Sequence, residues 1–356
     1  MNRIELKPND NITIAEINEG RGSRPKYWFT FNNSTDKTKW LFKNTNRDAT
    51  SSLKTYEDLG EIIFNKICNQ LNVSCVEYKL AYNHEKGYGN EGVISKNYNP
   101  NGFPEVSAYT LLDFYKNFMY DNFNGIVVDN ENTLSNYIKS LKAFSLENPN
   151  IKINSNEILL QLEKMFILDY ICCQSDRNWY NVAFLIDSNN NEMKLCPLFD
   201  NGNIFCWNYR EGVIKHQRDS LRNKKNITQL NELLSSKPIA LGIITPTALR
   251  DQNNPLRTQK SKQSPEIMNK VNEELIQMIC NSKELRDFVF DNFRPNNNIL
   301  KNAFKQAENE YGEFPDFLKE QSSLIYDIKC EHLLNLVKER LIQKSDYYNE
   351  NDDREI

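Results

Sequence analysis

Residues 158–172 are apolar around nearly the whole circumference of a helix. Such a helix has no wet face, so a large lobe must wrap it on every side. A chain of 356 residues is long enough to build that lobe and a second unit beside it. The helix gives way to a polar loop holding Gln174, Ser175, Asp176, Arg177 and Asn178. Segments 181–187 and 193–199 then flank a polar turn at 188–192, which reads as a hairpin. The polar loop is therefore pinned between a buried helix and two short strands.

The first hundred residues follow a different period. Segments 12–17, 27–31, 39–43, 76–82 and 92–96 read as short strands separated by turns, about five in all. One long helix lies among them. Thr55 is its expected cap, with Asp58 as the capping-box acid, and Leu59, Ile62, Ile63, Ile67 and Leu71 line one face. From Ser107 onward the pattern is mainly helical. Residues 207–265 read as irregular and basic, with Arg210, Lys215, Arg218, Arg222, Lys224 and Lys225, then Arg250, Arg257, Lys260 and Lys262. Helical patterns resume near Pro265 and run to about Tyr348. The expected architecture is α+β and bilobal. Residues 1–98 form a small β-rich lobe with one long helix, 99–348 a larger, mainly helical lobe, and 349–356 a polar tail.

Charge and cysteine usage narrow the function classes. A net charge of −4 disfavours a nucleic-acid partner held by whole-surface positive charge. There is no apolar run of about 18 residues, so no membrane-spanning helix is expected. The N-terminus has no apolar signal-peptide core. The eight cysteines are scattered without C-x-x-C spacing, which fits buried free thiols better than disulfides or a zinc site. The expectation is a cytoplasmic protein, with secretion lacking a cleaved signal left open.

Phosphoryl transfer from ATP requires a loop over the phosphates, a lysine fixed by an acid, a carboxylate beside the nucleophile and oxygen ligands for magnesium. The chain offers these in order. Residues 20–26 carry Gly20, Gly22, Ser23, Arg24 and Lys26, suited to a phosphate cover and equally to a basic hairpin turn. Lys43 ends a strand, and Glu61 or Glu57 on the helix can pair with it. Asp176 and Asn181 have the D-x-x-x-x-N spacing that sets an acid at the nucleophile and an amide oxygen at the metal. Asp200, followed by Asn201 and Gly202, closes the second hairpin strand as the other metal ligand. Each pattern is common alone; the order and setting make them specific.

On these residues the chain resembles the HipA-like serine/threonine kinases, especially compact forms such as the CtkA type, over about residues 12–345. Residues 22–26, followed by Tyr27-Trp28-Phe29, look like the family's phosphate loop, which ends in a lysine, here Lys26. Residues 40–43 resemble its lysine strand, and Gly60-Glu61 its acid helix. Residues 92–96 resemble the strand into the hinge, Asp176-Arg177 with Asn181 the catalytic loop, and residues 197–200 the metal segment. The resemblance implies a protein-kinase-like fold with ATP and Mg2+. It implies ATP contacts at Gly22, Ser23, Arg24, Lys26, Lys43, Glu61 and, near the hinge, Ser95 and Asn97. Asp176 would be catalytic, and Asn181 and Asp200 would hold metal. The implied partner is a protein substrate with a Ser or Thr hydroxyl, in a toxin or effector setting with an antitoxin or host protein. Two positions depart from the family. Asn178 stands where it usually has His. The serine some members autophosphorylate falls near Glu19, with Ser23 the nearest hydroxyl. The loop chemistry alone is shared with small-molecule kinases of the aminoglycoside or choline type. A pseudokinase binding module is the non-enzymatic alternative. The basic stretch from Arg210 to Lys225 is either a guide for an acidic partner or a solvated loop.

Overall fold

The computed structural model describes residues 1–17, 25–35, 37–45, 55–85, 90–123, 125–126, 134–174, 176–223, 265–294 and 297–352. Period-two alternation organises the smaller lobe. Its sheet holds β1 (Ile4–Leu6), β2 (Ile12–Ile17), β3 (Lys26–Phe31), β4 (Trp40–Asn44), β5 (Tyr78–Asn83) and β6 (Glu91–Lys96), in the order β1-β5-β6-β4-β3-β2. Five of these are the strands expected from the sequence. The sixth, β1, is three residues long and pairs in parallel with β5. A run that short carries no period of its own, so only its tertiary pairing defines it.

The two faces of this sheet serve different ends. Leu6, Ile12, Tyr27, Phe29, Phe42, Ala81 and Ile94 form a small separate core on one face. On the other, Leu80 and Val93 join the main core with helix α1 (Glu57–Gln70). Leu59, Ile62, Ile63 and Ile67 of α1 lie in the same core, as the sequence pattern required. That core continues into the larger lobe, so α1 packs as part of both.

The start of α1 corrects the capping-box expectation. Tyr56 is the N-cap and makes no side-chain cap bond. Thr55 Oγ1 donates to Thr45 O (3.3 Å) and Glu57 Oε2 (3.2 Å), and Asp58 accepts from Arg3 Nη2 (2.6 Å). Tertiary partners cover this helix end: Tyr56 N–H donates to Trp207 O (2.9 Å) and Tyr56 Oη to Glu211 Oε2 (2.9 Å). Glu57 and Asp58 in the first turn suit the positive end of the helix dipole.

The larger lobe holds a four-stranded sheet, β7 (Glu105–Ser107), β8 (Lys152–Ile153), β9 (Ala183–Asp187) and β10 (Glu192–Leu195), in the order β7-β9-β10-β8. The β9–β10 hairpin is the expected one. Around it lie α2 (Ala108–Asn122), α3 (Leu134–Glu147), α4 (Ser155–Ile171), α5 (Glu211–Asn223), α6 (Pro265–Asn281), α7 (Lys283–Asn292), α8 (Ile299–Tyr311) and α9 (Asp316–Asp352). Helix α4 is the buried apolar helix, capped by Asn154, whose side chain accepts from Glu157 N. Helix α5 lies in a stretch read as irregular. Its surface is polar and basic, but Ile214, Gln217 and Leu221 recur at helical spacing and are buried. Helix α9 continues to Asp352, into the expected tail. Seven of the eight cysteines are buried. No helix among the described residues is long and apolar enough to cross a membrane.

Helix α1 meets the segment after β10 backbone to backbone. A Cβ on Gly60 would stand 2.3 Å from Gly202 O, and one on Gly202 2.5 Å from Glu57 O. Gly60→Ala is therefore expected to lower stability by about 1–3 kcal/mol, as overpacking does. At Gly212, where nothing lies within 4 Å of the added Cβ, the same change should stay within about 0.5 kcal/mol. Urea midpoints measure both. A Gly60→Ala protein as stable as the parent would refute this seating of α1.

Candidate active site

The pleat brings the first residues together. Lys26 on β3 pairs in register with Lys43 on β4, and Lys43 with Val93 on β6. Directly opposed residues share a face, so both lysines project from the side that faces α1. Ser95, opposite Leu41 and Tyr78, shares that face and is buried.

Lys43 Nζ donates to Glu61 Oε1 at 2.8 Å and also to Asp200 Oδ1. The partner is thus Glu61. Glu57 is buried one turn earlier, where its carboxylate receives the Thr55 hydroxyl and its carbonyl backs onto Gly202. Glu61 uses both oxygens: the other accepts the Asn201 N–H (2.8 Å), tying α1 to the segment that carries Asp200. Burial lowers the Lys26 pKa; Asp200 acts to raise it and Lys43 to lower it further. Lys43 thus stands between two carboxylates, Glu61 and Asp200, with the Lys26 ammonium close enough to feel the charges of Asp200 and Lys43.

Asp200 sits at φ 56°, a left-handed conformation uncommon for residues other than glycine. Local bonds hold it there. Its N–H donates to Tyr78 Oη (3.3 Å) and its carbonyl accepts from Gln174 Nε2 (3.3 Å). Burial first, then the charges of Glu61 and Asp200, pushes the Tyr78 phenol well up, so it stays neutral and can accept that N–H. The Asp-Asn-Gly run is therefore no ordinary glycine turn: the aspartate takes the left-handed backbone, and Gly202 serves the close approach to α1.

The catalytic-loop pattern is built around Arg177, which is fully buried. Its five N–H donors meet five bonds: Nε to Asp169 Oδ2 (2.9 Å), Nη2 to Asp169 Oδ1 (3.1 Å) and Asn201 Oδ1 (2.6 Å), and Nη1 to Asn181 O (3.2 Å) and Phe199 O (3.0 Å). Burial acts to lower the Arg177 pKa, and the charge and bonds of Asp169 outweigh it and raise it. Asp169 lies on α4, Asn181 at the loop's end, and Phe199 and Asn201 around Asp200. Asp176 N–H donates to Gln174 Oε1 (3.1 Å), and Asn181 Nδ2 to Asp176 O (2.7 Å). Asn178, standing where the resembling family has His, holds the loop: Nδ2 donates to Asp176 O and Oδ1 (both 3.3 Å), and Oδ1 accepts from Tyr180 N (2.9 Å).

Lys26, Lys43, Glu61 and Asp200 thus converge, and Arg177 links them to the Asp176–Asn181 loop. Asn97 lies just past β6, its N–H donating to Lys39 O (3.0 Å) and its side chain bonding Asn99. Gly22, Ser23 and Arg24, with Glu19, lie outside the described residues. No role was read from the sequence for Asp169, Gln174, Tyr78 or Asn201. Asp169 had a readable signal: an ionisable residue in a helix apolar nearly all round must find a partner.

The donor set suits a nucleotide-borne magnesium ion. Asn181 has its amide nitrogen committed to Asp176 O, leaving its oxygen as the ligand atom, and the Asp200 side chain is 36% exposed. Among the described residues no three His, Cys, Asp or Glu side chains gather into a cage. Magnesium carried by phosphates needs only one or two protein oxygens. Lys26 and Lys43 are the cations that could pair with such phosphates.

Among solved structures the chain matches the Helicobacter pylori proinflammatory kinase CtkA, with a TM-score of 0.54 and 16% identity over 96% of this chain and 99% of that one. No family model and no curated protein matches. At this identity the likeness carries the fold, which is bilobal and kinase-like.

If Arg177 organises the site, Arg177→Met should cost about 3–5 kcal/mol by stranding Asp169 in the core. Adding Asp169→Leu should return a large part of that loss, because no buried charge is then left alone. Thermal and urea melts of the two single variants and the double variant measure this cycle. Additive losses would contradict it.

Proposed function

We propose that this chain is an ATP-dependent protein kinase of HipA-like type that phosphorylates a Ser or Thr hydroxyl. The observation that carries the reading is the pairing of Lys43 with both Glu61 and Asp200, on a segment that Arg177 ties to the Asp176–Asn181 loop. A binding module has no physical need for that arrangement. Magnesium ATP, when bound, supplies the phosphoryl group and part of the charge neutralisation.

The chain's own residues do the rest. Lys43, oriented by Glu61, and Lys26 hold phosphate oxygens. Asn181 and Asp200 offer oxygens to the metal. Asp176 orients the acceptor hydroxyl and takes its proton as the oxygen bonds to phosphorus and the bond to the ADP oxygen breaks. Rigidity supports this division of labour, since catalysis here is mostly positioning and charge stabilisation. The resemblance assigns residues 22–26 as the phosphate cover; of these, Lys26 lies within the described residues and carries the charge for that role.

Over the described residues, three cations of the basic stretch form surface ion pairs within the chain. Lys215 pairs with Glu211 (2.6 Å), Arg218 with Asp219 (2.8 Å), and Arg222 with Glu320.

Asp176→Ala and Asp200→Ala are each expected to lower phosphate transfer from labelled ATP by at least about 10²–10³-fold. Magnesium ATP at about 100 times its dissociation constant should stabilise the parent by about 2.7 kcal/mol. That stabilisation should persist in Asp176→Ala and fall sharply in Lys43→Met. Equal labelling by the parent and both aspartate variants would overturn the assignment.

A further inference from the structure

Four residues after Asp176 stands Tyr180, which the chemistry above does not use. It is 50% exposed, and its ring stacks on Tyr109 of α2 with centroids 4.6 Å apart and planes 19° from parallel. Both tyrosines are tied to the catalytic loop. Tyr180 N–H donates to Asn178 Oδ1 (2.9 Å), and the Asn178 amide donates back to Asp176. Tyr109 N–H donates to Trp179 O (3.1 Å), and Ala108 N–H to Val182 O (2.8 Å). The stacked pair is therefore positioned by the same bonds that position the acid.

A carboxylate completes the surface. Asp113 follows Tyr109 by one helical turn and so lies on the same face of α2. The Tyr109 phenol is pushed up to about 12, by burial first and then by the charge of Asp113. The Asp113 side chain is 44% exposed and has Lys116 3.4 Å away, three residues on. Surface pairs of that kind are weak and easily exchanged. Flat π-faces beside an exposed carboxylate fit one side chain best. A guanidinium is planar, stacks on aromatic rings and bonds carboxylates through its fork. An apolar group would strip water from Asp113 without replacing its bonds.

We propose that Tyr180, Tyr109 and Asp113 form a subsite for an arginine side chain flanking the acceptor hydroxyl of a protein substrate. This rests on the protein-kinase reading. Four residues of backbone reach at most about 14 Å. An extended peptide advances about 3.3 Å per residue. The arginine therefore lies within about four residues of the acceptor.

The test uses the full chain, labelled ATP and peptides with one serine, carrying arginine or its neutral isostere citrulline at each flanking position. The parent is expected to favour arginine over citrulline at one position by about tenfold in kcat/KM. Tyr180→Ala and Asp113→Asn should each bring that ratio close to one, and Tyr180→Phe should keep most of it. Transfer without arginine selection, or selection that survives both Tyr180→Ala and Asp113→Asn, would overturn the subsite and leave the kinase reading standing. Absence of transfer to every peptide and to lysate proteins would overturn the kinase reading and the subsite with it.

Discussion

Arg177 carries a charge it cannot shed, and it is buried among apolar side chains. Such a group is tolerable only when every donor is met, and here five bonds meet five N–H groups. Those bonds end on three separate pieces of chain: α4, the end of the Asp176–Asn181 loop and the segment after β10 that carries Asp200. Displacing any one of them would leave a buried donor or Asp169 without its partner. The geometry of the Asp176 loop against Asp200 is therefore set by the cost of an unpaired charge. That cost is steeper than any single packing contact.

The same logic runs outward to the smaller lobe. Asn201 accepts from Arg177 through its side chain and donates to Glu61 through its backbone, and Glu61 holds Lys43. Gly60 and Gly202 let the helix and this segment touch along their backbones. Helix α1 is fastened at both ends as well. Tyr56 bonds Trp207 and Glu211 at its start. Toward its end, Lys66 pairs with Glu310, and Gln70 Nε2 donates to Ile299 O (3.0 Å) on α8. The helix that orients the lysine is thus part of the larger lobe's core.

Much of this was legible because strong periodicity survives folding. The strands around Lys43, the apolar stripe of α1 and the largely apolar α4 lie where their patterns put them. The D-x-x-x-x-N loop lies between the helix and hairpin that bracket it. What was not legible depends on partners distant in sequence. Strand β1 is defined by β5, and the start of α1 by Trp207 and Glu211, so the local capping-box signal at Thr55 and Asp58 lost to tertiary bonds. Helix α5 is coated with charged residues, and its buried stripe of Ile214, Gln217 and Leu221 is too narrow to dominate its pattern. Asp200, not Gly202, takes the left-handed backbone, and no local pattern announces that. Asp169 is the instructive omission. Its position inside an apolar helix implied a buried partner, and the one it finds is Arg177, eight residues on.

The central claim is that Lys43, Asn181 and Asp200 together receive a metal-bound nucleotide. A crystal structure of the chain with a non-hydrolysable ATP analogue and manganese, located by its anomalous scattering, tests it most directly. The account predicts a metal peak in coordination range, about 2.1 Å, of oxygens from both Asn181 and Asp200. It also predicts Lys43 Nζ within hydrogen-bond reach of a phosphate oxygen. A nucleotide bound away from Lys43, or a metal held by neither residue, would contradict it.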